Sequence, residues 1–406
     1  MDIQRDIFST LIEEKTKKQI TALVGARQVG KTTLMQEIYT RTNNSKFITF
    51  EDREILKEFE ETIDIFIEKY IKGFDYIFID EFQYAKKGGQ KLKFVYDTIS
   101  NIKIFISGSS HAELAIESLQ YLVGRVSIIE IFPLTFKEFL HFRKEEDSIY
   151  LTKKRTINTL EKLQPLFKEY LQFGGYPQIL LETDESRKET LLKNIVESYL
   201  FKEIKDILGY KNSYEFESIL RRIALQDTKL LNKNSFSQDL GIEYKKVDEI
   251  CNVLDKTYIA YLVRPFLKNK IKEQIKAPKM ILQDIGFKNS LIKNFSSLEF
   301  RIDKGEVYEN FVFNEIKRMG ITPQFFNEQN RYEMDFVYEK NGKITGVECK
   351  SSYTKLEINS SIKRFIETFK PSKIIVFNES VDGEAEYKQC RVIFTHYLNI
   401  YQIEDL

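Results

Sequence analysis

The sequence predicts an α/β protein built from several modules, and three observations carry that prediction. A glycine-rich stretch lies between a short apolar run and a helical pattern, further short apolar runs end in acidic or hydroxyl residues, and two runs near the C-terminus pair on paper as a hairpin bearing carboxylates. At 406 residues the chain exceeds one ordinary core, so two to four modules are expected. Hydrophobic content of 42 % with 30 % charge is that of a soluble globular protein. No apolar run approaches the roughly 18 residues that span a bilayer, and Asp2, Arg5 and Asp6 are not followed by the apolar block of a secretory signal. A cytoplasmic location and no membrane partner are therefore expected. Cys251, Cys349 and Cys390 are far apart with no C-x-x-C spacing, which leaves neither a disulfide framework nor a zinc module. His111, His141 and His396 are equally scattered, and a net charge of +1 does not advertise a nucleic-acid binder.

Gly25, Ala26, Arg27, Gln28, Val29, Gly30, Lys31, Thr32 and Thr33 have the spacing G-x-x-x-x-G-K-T of a phosphate-binding loop. The chemistry needs these residue types. The glycines let successive backbone N–H groups point inward at phosphate oxygens, and the helix beginning near Lys31 adds the positive end of its dipole. Lys31 would reach the β- and γ-phosphates, Thr32 would place its hydroxyl on Mg²⁺, and Thr33 helps the helix begin. The apolar run Gln19 to Val24 and the helical pattern Leu34 to Tyr39 supply the strand, loop, helix order that a surface Gly/Lys loop would lack. ATP and Mg²⁺ are the expected ligands.

Along the chain, Met1 to Lys18 reads as one amphipathic helix with Ile3, Ile7, Leu11 and Ile12 on a face. A second β-run, Lys46 to Phe50, ends in Glu51 and Asp52, acids either simply solvated or placed near a nucleotide. Tyr76 to Ile79 ends in Asp80 and Glu81, four apolar residues and two carboxylates in the form of a Walker B motif. A buried parallel strand would deliver Asp80 to Mg²⁺ through its water shell and leave Glu81 to orient or deprotonate the attacking water. Gln83 reads into the same site. The run Ile102 to Ile106 ends in Ser107 to Ser110, hydroxyls at the strand end where a γ-phosphate would lie. After a helix from about His111 to Leu122 come Gly124 and Arg125 and a strand Val126 to Ile131. The Arg125 guanidinium is a candidate trigger, able to stabilise charge on a transferring phosphoryl group; a surface salt bridge is the competing reading.

In this order GARQVGKTT, the strand ending Asp80-Glu81, SGSS, LVGRV and FPLTFKEF resemble the predicted AAA+ ATPases of bacteria and archaea, which carry a C-terminal domain of unknown function with a restriction-endonuclease-like core. The resemblance covers nearly the whole chain. It implies an ATPase, puts Ser107 to Ser110 at the sensor position, and makes the helical pattern from about Lys137 to Lys229 a lid, with segments near Arg155 to Phe173, Arg187 to Leu208 and Tyr214 to Asp227. Gly174-Gly-Tyr-Pro177 matches a family motif and is physically a rigid turn. A lid cation is expected among Lys202, Lys205, Arg221 and Arg222, and Lys205-Asp206 departs from the family's Arg before Asp.

Ser235 to Ile242 and Tyr244 to Leu254 read as helix, turn, helix, and the β-runs Tyr258 to Phe266 and Lys279 to Leu282 would form a wing, resembling a winged helix. Residues 229–279 hold 11 basic against 6 acidic side chains, which favours a nucleic-acid contact. Glu243, Asp248 and Glu249 on the second helix oppose it, and internal docking is the alternative.

Near the C-terminus, Asn341-Gly342 is the preferred pair for a two-residue hairpin turn, so residues whose numbers sum to 683 should pair between Tyr332–Tyr338 and Ile344–Lys350. Asp335 then faces Glu348 and Glu333 faces Lys350, all four on one side, while Met334 with Cys349 and Phe336 with Val347 share the apolar side. Facing carboxylates are destabilising unless a cation or Lys350 lies between them. Asp335 and Glu348 are hard oxygen ligands for Mg²⁺ or Mn²⁺, with Lys350 beside them to stabilise developing charge. The set resembles the D…E-x-K core of restriction-endonuclease-like nucleases, and Glu309 matches the helix Glu that such sites often add as a further ligand; ion pairs on a hairpin are the plain alternative. The expected layout is an AAA+-type ATPase core over 1–140, a helical lid over 141–230, a winged-helix-like module and linker over 231–300, and a small restriction-endonuclease-like α/β domain over 301–406. An ATP-regulated, metal-dependent nuclease acting on DNA leads, an ATP-dependent switch whose C-terminal domain only binds DNA or protein follows, and a transcription regulator is third. DNA and further copies of the chain are the candidate macromolecular partners.

Overall fold

A computed structural model describes residues 5–108, 120–143, 157–199 and 214–404. Five short apolar runs form one parallel sheet in the order β2-β3-β4-β1-β5: β1 (Ile20–Val24), β2 (Ser45–Thr49), β3 (Tyr76–Asp80), β4 (Lys103–Ser107) and β5 (Val126–Glu130). The central strands β1 and β4 are buried at every position, as strands covered on both faces must be. One face carries Tyr39, Phe47, Phe78 and Phe105, with Phe78 stacked on Phe105 at 5.0 Å. The other carries Phe50, Phe59, Phe66 and Phe82. Strand order reverses beside β1, so the crevice past its C-terminal end is where a ligand site is expected.

Two expectations are corrected in this region. Among the described residues the N-terminal helix runs over Ile7–Glu14 and stops before Lys15, Lys17 and Lys18, while Leu11 and Glu14 turn inward. Asp52 does not approach the strand-end crevice as a free acid: it caps the helix Arg53–Glu61, accepting from the Glu54 and Ile55 amides. The helix expected from His111, together with Ser109, Ser110, Lys202 and Lys205, lies outside the described residues.

The middle of the chain is helical over Ile157–Phe173, Pro177–Leu181, Glu185–Tyr199, Tyr214–Leu225, Lys233–Leu240, Tyr244–Lys256 and Ile285–Ile292. Gly241, at φ 66°, turns one helix into the next, and β6 (Ala260–Val263) pairs antiparallel with β7 (Lys279–Leu282) around a short helix Lys270–Ile275. Gly174 and Gly175 are there for close approach. A Cβ on Gly174 would lie 2.2 Å from an Asp284 carboxylate oxygen, and one on Gly175 the same distance from the Leu134 carbonyl. The Gly175 amide donates to Asp284 at 2.8 Å and its carbonyl accepts from Leu134 N at 2.7 Å.

The C-terminal part is a six-stranded mixed sheet, β12-β13-β11-β10-β9-β8, built from β8 (Gln324–Glu328), β9 (Tyr332–Lys340), β10 (Lys343–Cys349), β11 (Lys373–Asn378), β12 (Gly383–Tyr387) and β13 (Cys390–His396). The helix Lys304–Arg318 packs on one face with Phe336, Val347 and Phe377; Ser360–Phe369 packs on the other with Met334, Val337 and Ile374. Asn341 at φ 52° and Gly342 at φ 73° make the expected hairpin turn, and the observed pairs from Lys340–Lys343 to Phe336–Val347 all sum to 683. The expected sidedness fails at one place. The β8–β9 ladder shifts register between Gln324 and Phe326, opposite Met334 to Val337, and Met334 joins the core opposite to that of Phe336 and Cys349.

One buried polar hub joins these parts. Glu315, fully buried, accepts from Arg318 at 3.0 Å, from the Phe136 amide at 3.3 Å and from the hydroxyls of Tyr170 and Tyr401. Arg318 also donates to the carbonyls of Leu134 and Gln283. The FPLTFKEF segment thus meets the C-terminal helix and the middle helices at one point.

Candidate functional site

The first site lies at the C-terminal edge of the parallel sheet. Gly25, at φ 147°, presses so close to the chain after β5 that a Cβ would meet the Ile131 carbonyl at 2.2 Å, and Gly30, at φ 97°, opens the helix Lys31–Thr40. The Lys31 ammonium is folded into the loop, donating to the carbonyls of Gly25 at 2.9 Å and Ala26 at 2.7 Å. Asp80, carried by β3, accepts from the Thr32 hydroxyl at 2.9 Å and from the Ser107 hydroxyl at the end of β4. Glu81 follows at φ 54°, and Gln83 donates to its carboxylate. Burial, with the neighbouring Asp80 charge, pushes the Glu81 carboxyl above its ordinary range, against the hydrogen bond from Gln83. Lys31, Thr32, Asp80, Glu81, Gln83 and Ser107 are therefore together at one edge of the sheet. Arg5 was missed: its guanidinium bonds the loop carbonyl of Val29 at 3.1 Å, the Phe132 carbonyl at 2.7 Å and the Glu138 carboxylate at 3.0 Å. Nothing in a lone arginine near the N-terminus distinguishes it beforehand.

Arg125 does not join this site within one chain. It precedes β5 at the opposite edge of the sheet, on the order of 20 Å of extended strand from Ile131, and pairs with Asp97 at 2.8 and 3.2 Å. Of the lid candidates, Arg221 and Arg222 pair with Glu217 and Asp239.

The second site lies in the C-terminal sheet. Asp335, on the bulged stretch of β9, accepts from the Cys349 amide at 2.7 Å. Glu348 pairs with Lys350 at 2.6 Å and keeps one carboxylate oxygen buried without a partner. Glu309 projects from the helix Lys304–Arg318 into the same field. Burial pushes all three carboxyls up, and their mutual repulsion adds to the rise for Glu309 and Glu348. Glu333 pairs not with Lys350, as the register implied, but with Lys279 at 3.0 Å, because that lysine reaches across from β7. Burial disfavours the Lys279 ammonium, yet Glu309, Glu333 and Asp335 outweigh this and hold it above its ordinary value. Lys350 is held up likewise by Glu348 and Asp335 against burial. Among the described residues, no three His, Cys, Asp or Glu side chains stand close enough together to hold a metal ion. Lys279 was invisible as a site residue, since a lysine opening a β-run reads as a solvated strand end.

A family model described as an AAA domain matches residues 17–140, the whole of the parallel sheet with its loop. An uncharacterized protein of Methanocaldococcus jannaschii is 30 % identical over 398 residues, covering 92 % of this chain and 82 % of that protein. The chain belongs to one family with this uncharacterized protein and carries an AAA domain over residues 17–140. Beyond the AAA domain, two models described as domains of unknown function, DUF8612 and DUF4143, match residues 164–298 and 304–398. An uncharacterized protein of Haemophilus influenzae is 28 % identical over 360 residues, covering 85 % of this chain and 86 % of its own. Among solved structures, the Walker-type ATPase of Pyrococcus abyssi resembles this AAA protein with a TM-score of 0.47 and 16 % identity, over 71 % of this chain and 96 % of that one. Among the described residues no helix is long and apolar enough to cross a membrane.

Proposed function

We propose that the protein binds and hydrolyses ATP and uses the cycle to change how its modules sit on one another. The observation that carries this is the meeting of Lys31, Thr32, Asp80, Ser107 and Glu81 at one edge of the sheet. The Lys31 ammonium would exchange its bonds to the Gly25 and Ala26 carbonyls for phosphate oxygens. Thr32 and Asp80 offer a hydroxyl and a carboxylate 2.9 Å apart, hard oxygens that suit Mg²⁺. Bound there, the ion would neutralise charge on the phosphates. Ser107 holds the second Asp80 oxygen and so fixes the carboxylate's plane. Glu81, raised above an ordinary carboxylate, is a stronger base for the attacking water, and Gln83 fixes its direction. Arg125 could act as a trigger only on the nucleotide of another copy, which makes a homo-oligomer part of that reading. On this proposal residues 1–140 are the ATPase core, 141–230 its lid and 231–300 a winged-helix-like module.

The gathering of Glu309, Asp335, Glu348 and Lys350 favours a second reading, a restriction-endonuclease-like centre acting on DNA over 301–406. Its donor types suit Mg²⁺ or Mn²⁺, but the side chains as they stand do not form a metal cage. The alternative to that second reading is an ATP-dependent switch whose C-terminal part only binds DNA or protein. ATP turnover of wild type against Lys31→Ala tests the first reading; cleavage of linear, circular and single-stranded DNA with Mg²⁺ or Mn²⁺, with and without ATP, tests the second. Turnover that survives Lys31→Ala, or no cleavage under any condition, rejects the corresponding reading.

A further inference from the structure

The C-terminal carboxylates have a cation among them that belongs to a different part of the chain. Lys279 opens β7, whose ladder partner is Val263 of β6, yet its side chain leaves that hairpin and is 2 % exposed in the C-terminal centre. Its ammonium stands 3.0 Å from Glu333 and lies over the Phe325 ring at 5.1 Å. Glu309 and Asp335 act on it from the helix and from the bulged strand. The strand that carries it is fixed. The Leu282 amide donates to Asp227 at 2.9 Å, and the Leu282 carbonyl accepts from Asn310 at 2.8 Å and Asn314 at 3.0 Å, both on the helix that bears Glu309. Lys229, two residues beyond Asp227, pairs with Glu306 one turn before Glu309. The middle of the chain therefore places two lysines against the C-terminal helix and sheet, in addition to the Lys350 pair with Glu348.

A buried ammonium amid carboxylates supplies the charge that a hydrated divalent ion would otherwise supply, and like charges at a few ångströms in a poorly solvated space exclude one another. We infer that Lys279 is the resident cation of the C-terminal carboxylate centre, supplied by the middle module, and that it keeps a divalent metal out of that centre in the arrangement seen. This rests on the reading of Asp335 and Glu348 as metal ligands. It explains why those ligand types are present without a metal cage. It also gives the middle module a definite task, because the centre takes metal only in exchange for the ammonium.

Mn²⁺ titration of the full-length protein by calorimetry tests the inference, in an Asp80→Asn background so that the phosphate-loop carboxylate contributes nothing. Lys279→Met is compared with its parent, and the double variant Lys279→Met/Glu333→Gln removes one charge of each sign so that folding does not depend on an unpaired carboxylate. The expected result is a gain in Mn²⁺ affinity of roughly tenfold or more in the Lys279 variants, lost again when Asp335→Asn is added. Equal, Asp335-dependent Mn²⁺ binding in parent and variants overturns the role of Lys279 and leaves the metal-ligand reading intact. Absence of Asp335-dependent binding in all of them overturns both.

Discussion

The two acidic centres of this protein both gather carboxylates with lysine and differ in what holds the carboxylates. At the phosphate loop, Asp80 is held by the hydroxyls of Thr32 and Ser107, neutral donors that position the carboxylate without cancelling its charge. The lysine there donates to two backbone carbonyls of its own loop. In the C-terminal sheet, Glu348 is paired with Lys350 and Glu333 with Lys279, and the remaining carboxyls are raised by burial. What a strand-end carboxylate can bind is thus decided by its companions. Hydroxyls leave its charge available to a metal, whereas ammonium groups consume it.

The sharpest way to break the comparison is at Lys31. Lys31→Ala should lower ATP affinity and turnover by about 10²-fold or more, read by nucleotide titration and phosphate release; unchanged values would mean the first centre is not poised as described. Glu81→Gln should retain ATP while turnover falls about 10²- to 10⁴-fold. Because burial raises the Glu81 carboxyl, wild-type turnover should begin to fall on acidification above the ordinary carboxylate range, a limb that Glu81→Gln lacks in a pH–rate profile. The two centres share a frame through Glu315 and Arg318, so Arg318→Met should cost about 3–5 kcal/mol of unfolding free energy in denaturant titration, by leaving a buried carboxylate unpaired. The charge state of the second centre predicts a pH effect of its own. Burial and neighbouring carboxylates push Glu309 up to about 7 and Glu348 up to about 8. The folded state therefore binds more protons than the unfolded one, so this contribution to stability is complete below the ordinary carboxylate range and is lost as pH rises through 7 to 8. The thermal midpoint should fall across that window, and less so in Glu348→Gln. The smallest effect is expected at Arg125: with its guanidinium exposed on Asp97, Arg125→Ala should change turnover in dilute protein by less than about twofold, and a larger loss would point to its use by another copy.

What could be read in advance followed local rules. The strands β1, β3 and β4 are legible because a doubly covered parallel strand must be a continuous apolar run, and the β9–β10 register because Asn341-Gly342 permits one kind of turn. Asp335, Glu348 and Glu309 could be gathered on paper because a hairpin and a helix fix their own geometry. Two strands escaped, β8 (QFFNE) and β12 (GEAEY), which are too short and polar at their ends to show a period. The bulge at Met334 to Val337 escaped because the extra residue on β9 shows only against its partner β8, a strand that could not itself be read. Lys279 escaped because it works in a module other than the one that carries it, and Arg5 because its partners Val29, Phe132 and Glu138 are distant in sequence within its own module. Arg125 misled by its neighbourhood: it follows sensor-like serines in sequence, but a strand's two ends are far apart in space.

The junction of glycines beneath the phosphate loop has a mechanical meaning. Gly25 rests on the backbone of Ile131, Gly175 on that of Leu134, Gly174 on Asp284 and Gly286 on the backbone of Phe173, each at a separation that would not admit one methyl group. A joint between modules usually has a layer of side chains whose rotamers absorb small displacements. At Gly25, Gly175 and Gly286 backbone rests directly on backbone. If the loop at Gly25 is displaced when its phosphate arrives, there is no slack at these contacts to take up the movement, and it must appear as a rigid shift of the chain from Ile131 to Leu134 and of the helix that begins at Ile285. Replacing Gly175 or Gly286 by alanine would act as a shim, forcing its backbone away from Leu134 or Phe173 without substituting a residue of the phosphate loop.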